Sequence, residues 1–187
     1  VSAFVLTSGS VQAGEAKIAP SFVVKITGNG RPIILIPGLS CAGAVWDGSV
    51  AHLKDRYECH VLTLAGFAGQ PRIEPPFLGT VCKDLAKYIR EHKLDHPVII
   101  GHSLGGFIAL RLASEEPDLV GPLVVVDALP FMPAGFNPAA TATTMKPLAE
   151  QMRASLSAGG EQFISQSKSA IKTMVTKPAD VDLVMSW

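Results

Sequence analysis

The stretch Gly101-His102-Ser103-Leu104-Gly105 joins the apolar run Pro97-Val98-Ile99-Ile100 to Gly106-Phe107-Ile108-Ala109-Leu110-Arg111-Leu112. The first run reads as a buried strand and the second as a helix, so the chain must turn sharply between them. Gly101 and Gly105 flank that corner, where a Cβ would collide with the neighbouring chain. In the pattern G-x-S-x-G such a corner lifts the serine Oγ clear of the sheet, at a helix N-terminus that favours a developing negative charge. Ser103 is therefore the candidate nucleophile. The plainer reading is a Gly-rich turn with an incidental serine, but strand, elbow and helix stand in the required order.

The surrounding pattern repeats strand and helix. Phe22–Thr27 alternates as a strand, and Ile33-Ile34-Leu35-Ile36 is an unbroken aliphatic run of the kind covered on both faces. Pro37-Gly38 ends that run, and residues 44–55 read as a helix with Trp46, Val50 and Leu53 on one side. Tyr57–Leu64 is the next strand, residues 66–79 a Gly/Pro-rich loop, and Thr80 the cap of a helix to about His92. A strand over 97–102, a helix over 104–116 and a strand Leu123–Val126 follow. These βαβ units predict an α/β fold with a mainly parallel sheet and helices on both faces.

Beyond Asp127 the texture changes. Residues 128–137 contain Pro130, Pro133 and Gly135, which argue against helix or strand. Residues 138–157, 161–175 and 178–187 read as helices, so the segment 130–187 is expected to lie as a helical cap over the carboxyl ends of the strands. The core is expected over 21–129. Residues 1–20 read as an N-terminal arm or the remnant of a signal peptide, because residues 1–13 are small, uncharged and end in Val11-Gln12-Ala13. That pattern makes export to the periplasm or medium the expectation.

Sixteen basic residues balance sixteen acidic ones without a Lys/Arg cluster, which argues against nucleic acid as a partner. No apolar stretch reaches the roughly 18 residues that span a bilayer. Cys41, Cys59 and Cys82 are too scattered for a zinc site or a disulfide framework. No phosphate-binding glycine motif follows a strand, and no cofactor is indicated.

The elbow Gly101–Gly106, the strand-turn Leu35-Ile36-Pro37-Gly38-Leu39-Ser40 with Val45-Trp46-Asp47, and the strand ending Val126-Asp127 together resemble the α/β-hydrolase fold family. The resemblance is to its helical-cap branch of bacterial esterase-like proteins and covers about residues 22–129. It implies Ser103 as the nucleophile of a carboxylic ester hydrolase, with the backbone N–H groups of Leu39 and Leu104 as the oxyanion hole. Pro37 stands where many relatives have histidine, which matters little to a main-chain donor. Ala65 precedes Gly66 where relatives often carry an Asp-rich turn, so polar anchoring of that loop is in question. Trp46, Phe67 and Phe131 are candidates for an apolar acyl pocket, although core packing is the commoner fate of such residues.

One departure is decisive. The family order is serine, acid, histidine, yet His52, His60, His92, His96 and His102 all precede Ser103. His102 points to the opposite face from its neighbour, and the others read as structural or solvated. Asp127 is a candidate acid, with a structural hydrogen-bonding role as the alternative. The expectation is that acid and base belong to a missing C-terminal part of roughly 80–100 residues. Leu123–Val126 would then be an exposed sheet edge, open to self-association. The substrate implied is a small, uncharged acyl compound. The competing reading is a ligand-binding or receptor-like homologue that keeps the pocket without the base.

Overall fold

The aliphatic runs assemble into one sheet in the computed structural model, which describes residues 20–158 and, beyond them, 165, 169, 172–173, 175–177 and 180–181. The proposed leader lies outside the described residues, as do most of the helices expected over 161–175 and 178–187. The described residues form five strands: β1 (Phe22–Thr27), β2 (Arg31–Ile36), β3 (Tyr57–Leu64), β4 (Val98–His102) and β5 (Leu123–Val126). Their order is β1-β3-β2-β4-β5, with β1 antiparallel to β3 and every other pairing parallel.

Central position explains the uninterrupted hydrophobicity of β2. Ile34 and Ile36 pack on one face with Leu62, Leu64, Ile99 and the helices α2 (Phe77–Glu91) and α3 (Leu104–Glu115). Ile33 and Leu35 pack on the other with Val61 and Val50 of α1 (Asp47–Leu53). Helices therefore cover both faces. Full burial of each such side chain contributes about 1.5–3 kcal/mol, which fixes the register of the strand that separates the two cores.

Three local expectations need correction. The helix expected over 44–55 is a 3-10 turn, Gly43–Trp46, followed by α1. Gly43 is held there because its N–H donates to Thr63 Oγ1 at 2.9 Å. Thr80 does not cap α2: the helix begins at Phe77, and the Thr80 hydroxyl donates to the Pro76 carbonyl inside the first turn. The segment after β5 is not free of helix either. It forms the short α4 (Met132–Phe136), with Pro133 in the first turn, where its missing N–H costs nothing.

Helix α5 (Ala142–Ala158) starts where Thr141 Oγ1 accepts the Thr144 N–H at 3.2 Å. That is a side-chain N-cap. β5 is an edge strand, and Val124 and Val126 are 45% and 42% exposed on it.

The loop after β3 is anchored without the polar side chain its position would suggest. Gly66 N–H donates to the Gln70 and Pro71 carbonyls, and the Ala65 N–H to Ser21. Backbone bonds hold the turn.

Candidate active site

The elbow is built as a mechanical corner. Ser103 has φ 50° and ψ −114°, a conformation that costs a non-glycine residue about 1–3 kcal/mol. Its N–H donates to the Val126 carbonyl of β5 at 2.9 Å, and its carbonyl accepts the Phe107 N–H at 3.0 Å to start α3. The strained residue is thus tied to sheet and helix at once. A Cβ on Gly101 would strike the Gly105 carbonyl, and one on Gly105 would strike the Ile36 and Pro37 carbonyls of the neighbouring strand end. Only glycine permits this approach.

Because the first helical bond of α3 goes to Phe107, the Leu104 N–H has no partner within the helix. The second expected donor lies on the turn after β2. There the Cys41 N–H donates to the Gly38 carbonyl at 3.3 Å, and Ser40 at the third position has φ 61°. That is the signature of a type II turn. Its own bond uses Gly38 and Cys41, and among the described residues the Leu39 N–H meets no backbone acceptor. A Cβ on Gly38 would lie 3.5 Å from the Ser103 Cβ, so this turn adjoins the serine directly.

Leu39, Ser103 and Leu104 share a cavity of about 380 Å3, also lined by Phe107, Leu129 and Phe131 among others. Among the described residues Ser103 is the one polar side chain in its lining. The volume is in the range of small-molecule sites. Of the three aromatic residues weighed between acyl pocket and core, Phe131 lines the cavity, whereas Trp46 packs with the α1-side core and Phe67 with Phe77 on the other. Phe107, Leu129 and Met132 were not singled out from sequence. Phe107 carries a readable signal, lying one helical turn after Ser103 on the same helix.

No histidine is brought to the serine as a base. His60 is buried between Tyr88, whose hydroxyl is 2.7 Å from Nδ1, and Glu58, 2.8 Å from Nε2. The carboxylate can only accept, so Nε2 donates to Glu58, and in the neutral ring Nδ1 accepts from the Tyr88 hydroxyl. His92 bonds the Tyr88 carbonyl, His96 bonds Asp95, and His52 is exposed on α1. The His102 ring packs against Gly38, its Nδ1 2.9 Å from where a Cβ would stand. Asp127 is exposed, with φ 50°, one residue beyond the carbonyl that holds the Ser103 N–H. Cys41 lies two residues after Leu39, but burial raises its pKa and its Sγ donates to the Leu39 carbonyl at 3.5 Å. It is a poor rival nucleophile.

The model of the alpha/beta hydrolase fold matches residues 31–170, three quarters of the chain. The chain belongs to this family. Among curated proteins it is 29% identical over 106 residues to the pimeloyl-[acyl-carrier protein] methyl ester esterase of Vibrio cholerae, covering 57% of this chain and 40% of that protein. It is 33% identical over 115 residues to the enzyme of the same name from Aeromonas hydrophila, covering 59% and 42%. The chain therefore spans about two fifths of the curated relatives it matches. Among solved structures, a marine microorganism esterase superposes with TM-score 0.62 at 20% identity, over 90% of this chain and 64% of that one. At that identity the likeness speaks for the fold alone.

Proposed function

We propose that this α/β-hydrolase chain carries the nucleophile and oxyanion hole of a serine hydrolase that cleaves carboxylic esters. The observation that carries the reading is a strained Ser103 lining an apolar cavity beside two uncommitted N–H groups, those of Leu39 and Leu104. Ser103 Oγ attacks the ester carbonyl carbon and gives its proton to a general base. The carbonyl π electrons move to oxygen, where the two N–H groups stabilise them. Collapse of that intermediate expels the alcohol, which takes up the proton, and leaves an acyl-enzyme. Water then repeats the sequence and releases the acid.

None of the five histidines follows Ser103 in the chain or is hydrogen-bonded to it, so the general base of this reading is not one of them. The cap of this reading begins at residue 130, since Phe131 and Met132 line the cavity beside Ser103. An uncharged ester suits this site, whose lining offers no partner for a charged group. The esterase names of the relatives support the same substrate class.

The second reading, a binding protein that keeps the pocket without turnover, is favoured by the same missing base. Hydrolysis of p-nitrophenyl butyrate by the full polypeptide that carries this chain separates the two. A burst of nitrophenol that disappears in Ser103→Ala supports the hydrolase. Saturable ester binding with no release in either protein supports the binder.

A further inference from the structure

The turn that carries Leu39 leaves the end of β2 between the two strands that flank it, β3 and β4. On the β4 side it rests on the elbow, where a Cβ on Gly38 would lie 2.9 Å from His102 Nδ1 and 3.5 Å from the Ser103 Cβ. On the β3 side the ladder with β2 ends at Leu35 opposite Val61, so Thr63 stands two residues past the last paired position. Its Oγ1 accepts the Gly43 N–H at 2.9 Å.

The pattern of β3 makes that hydroxyl informative. Cys59 and Val61 precede Thr63 on the same face of the strand, and both are buried in the α1-side core. A third apolar residue would continue the series, yet the position holds a half-buried threonine that meets Gly43 instead. The approach is close: a Cβ on Gly43 would lie 2.8 Å from the Leu62 carbonyl oxygen and 2.9 Å from Val61 Cγ1. Gly43 is thus seated directly on β3. Gly43 is itself buried, so without Thr63 its N–H would lack a partner and would draw the segment toward another acceptor.

Leu39 lies between these two anchors. The Cys41 N–H closes its turn on the Gly38 carbonyl, and Ser40 holds φ 61°, a conformation that persists only where the surroundings enforce it. An oxyanion donor acts through its aim, and a misplacement of about 1 Å can cost about 10²-fold in rate.

We propose that Thr63 is a positioning residue for the oxyanion hole. By holding Gly43 on β3, its hydroxyl fixes the turn so that the Leu39 N–H faces the carbonyl oxygen of an ester under attack by Ser103. The inference rests on the reading of Ser103 as nucleophile and of the Leu39 N–H as donor.

A double-mutant cycle on the full polypeptide tests it, with p-nitrophenyl butyrate as substrate. Thr63→Val keeps the shape and removes the acceptor; kcat should fall at least about tenfold while KM stays within about threefold. Thr63→Ser keeps the acceptor and should restore kcat to within about threefold of wild type. In Leu39→Pro, which lacks the donor, adding Thr63→Val should cost less than about twofold more. Urea midpoints establish that each variant is folded, and Thr63→Ala, which leaves room for a water at the Gly43 N–H, replaces the valine variant if that one unfolds. An unchanged kcat in Thr63→Val overturns the proposal, as does a serine variant that fails to restore it. A loss that persists in full in the Leu39→Pro background overturns it too, because a purely structural threonine gives that result. Hydrolysis that survives Ser103→Ala, or an undiminished kcat in Leu39→Pro alone, would instead remove the reading on which the proposal stands.

Discussion

Gly105→Ala isolates the elbow from every other feature of the fold. In an ordinary helix the change stabilises by about 0.8–1.0 kcal/mol, because alanine loses less backbone entropy. Here the added methyl would meet the Ile36 carbonyl oxygen, its carbon at 2.7 Å and the Pro37 oxygen at 2.8 Å. All are backbone atoms at the end of β2, a strand paired on both sides by β3 and β4. They cannot swing aside as a flexible side chain would. Overpacking of this kind costs about 1–3 kcal/mol and sometimes more. Taking the upper part of that range against the helical gain leaves a net loss of about 2 kcal/mol. Urea unfolding followed by circular dichroism should show a midpoint lower by about 1 M, given slopes of about 1–3 kcal/mol per molar. Gly48→Ala in α1 is the control, since a Cβ there meets nothing within 4 Å. It should leave the midpoint unchanged or raise it. A Gly105→Ala midpoint at or above wild type would refute the idea that helix and strand touch through a missing side chain.

Other perturbations separate chemistry from stability. Leu39→Pro places proline at the second position of a type II turn, which favours it, and removes the N–H. Ester turnover should fall about 10²–10³-fold while the unfolding midpoint stays within about 0.5 M. Tyr88→Phe strips the donor from the buried His60 Nδ1, and a stability loss of about 1–3 kcal/mol is expected by the same unfolding assay. Ellman's reagent should titrate Cys41 in the native protein, and Cys59 and Cys82 only after denaturation, because the latter two are buried free thiols. Burial raises the Cys82 thiol above its usual 9.0, so the folded chain keeps a proton that the unfolded chain releases. That contribution is whole below pH 9.0 and is lost as pH rises through the folded value, which should lower the unfolding midpoint on the alkaline side.

Much of the fold was legible because its strands are chemically blunt. Tyr57–Leu64 and Leu123–Val126 are bounded by turn residues and were read with the limits the structure gives them. The elbow was legible for the opposite reason: its glycines have no substitute at contacts this close. What escaped the sequence was set by backbone geometry rather than side-chain pattern. Helix α2 starts at Phe77 behind Pro76 with no capping side chain, so Thr80 offered a false start. The 3-10 turn at Gly43–Trp46 depends on a bond to Thr63, twenty residues away in sequence. Helix α4 hides among residues that normally break helices, and its proline is tolerated only in the first turn.

The candidate site was legible in three of its residues and less so in its walls. Ser103 follows from the elbow motif, Leu39 and Leu104 from the family resemblance, and all three line one cavity. Leu129 and Met132 join them only because α4 folds back over the strand ends, a tertiary event no local pattern records. Trp46 and Phe67 had the right composition for a pocket, but the sheet and α2 claim them for the core.

The most direct test is where a fluorophosphonate lands on the full polypeptide carrying this chain. Peptide mapping by mass spectrometry should find one phosphonylated serine, Ser103, with the adduct lost in Ser103→Ala. An adduct on another residue, or equal labelling of wild type and variant, would contradict the assignment of Ser103 as nucleophile.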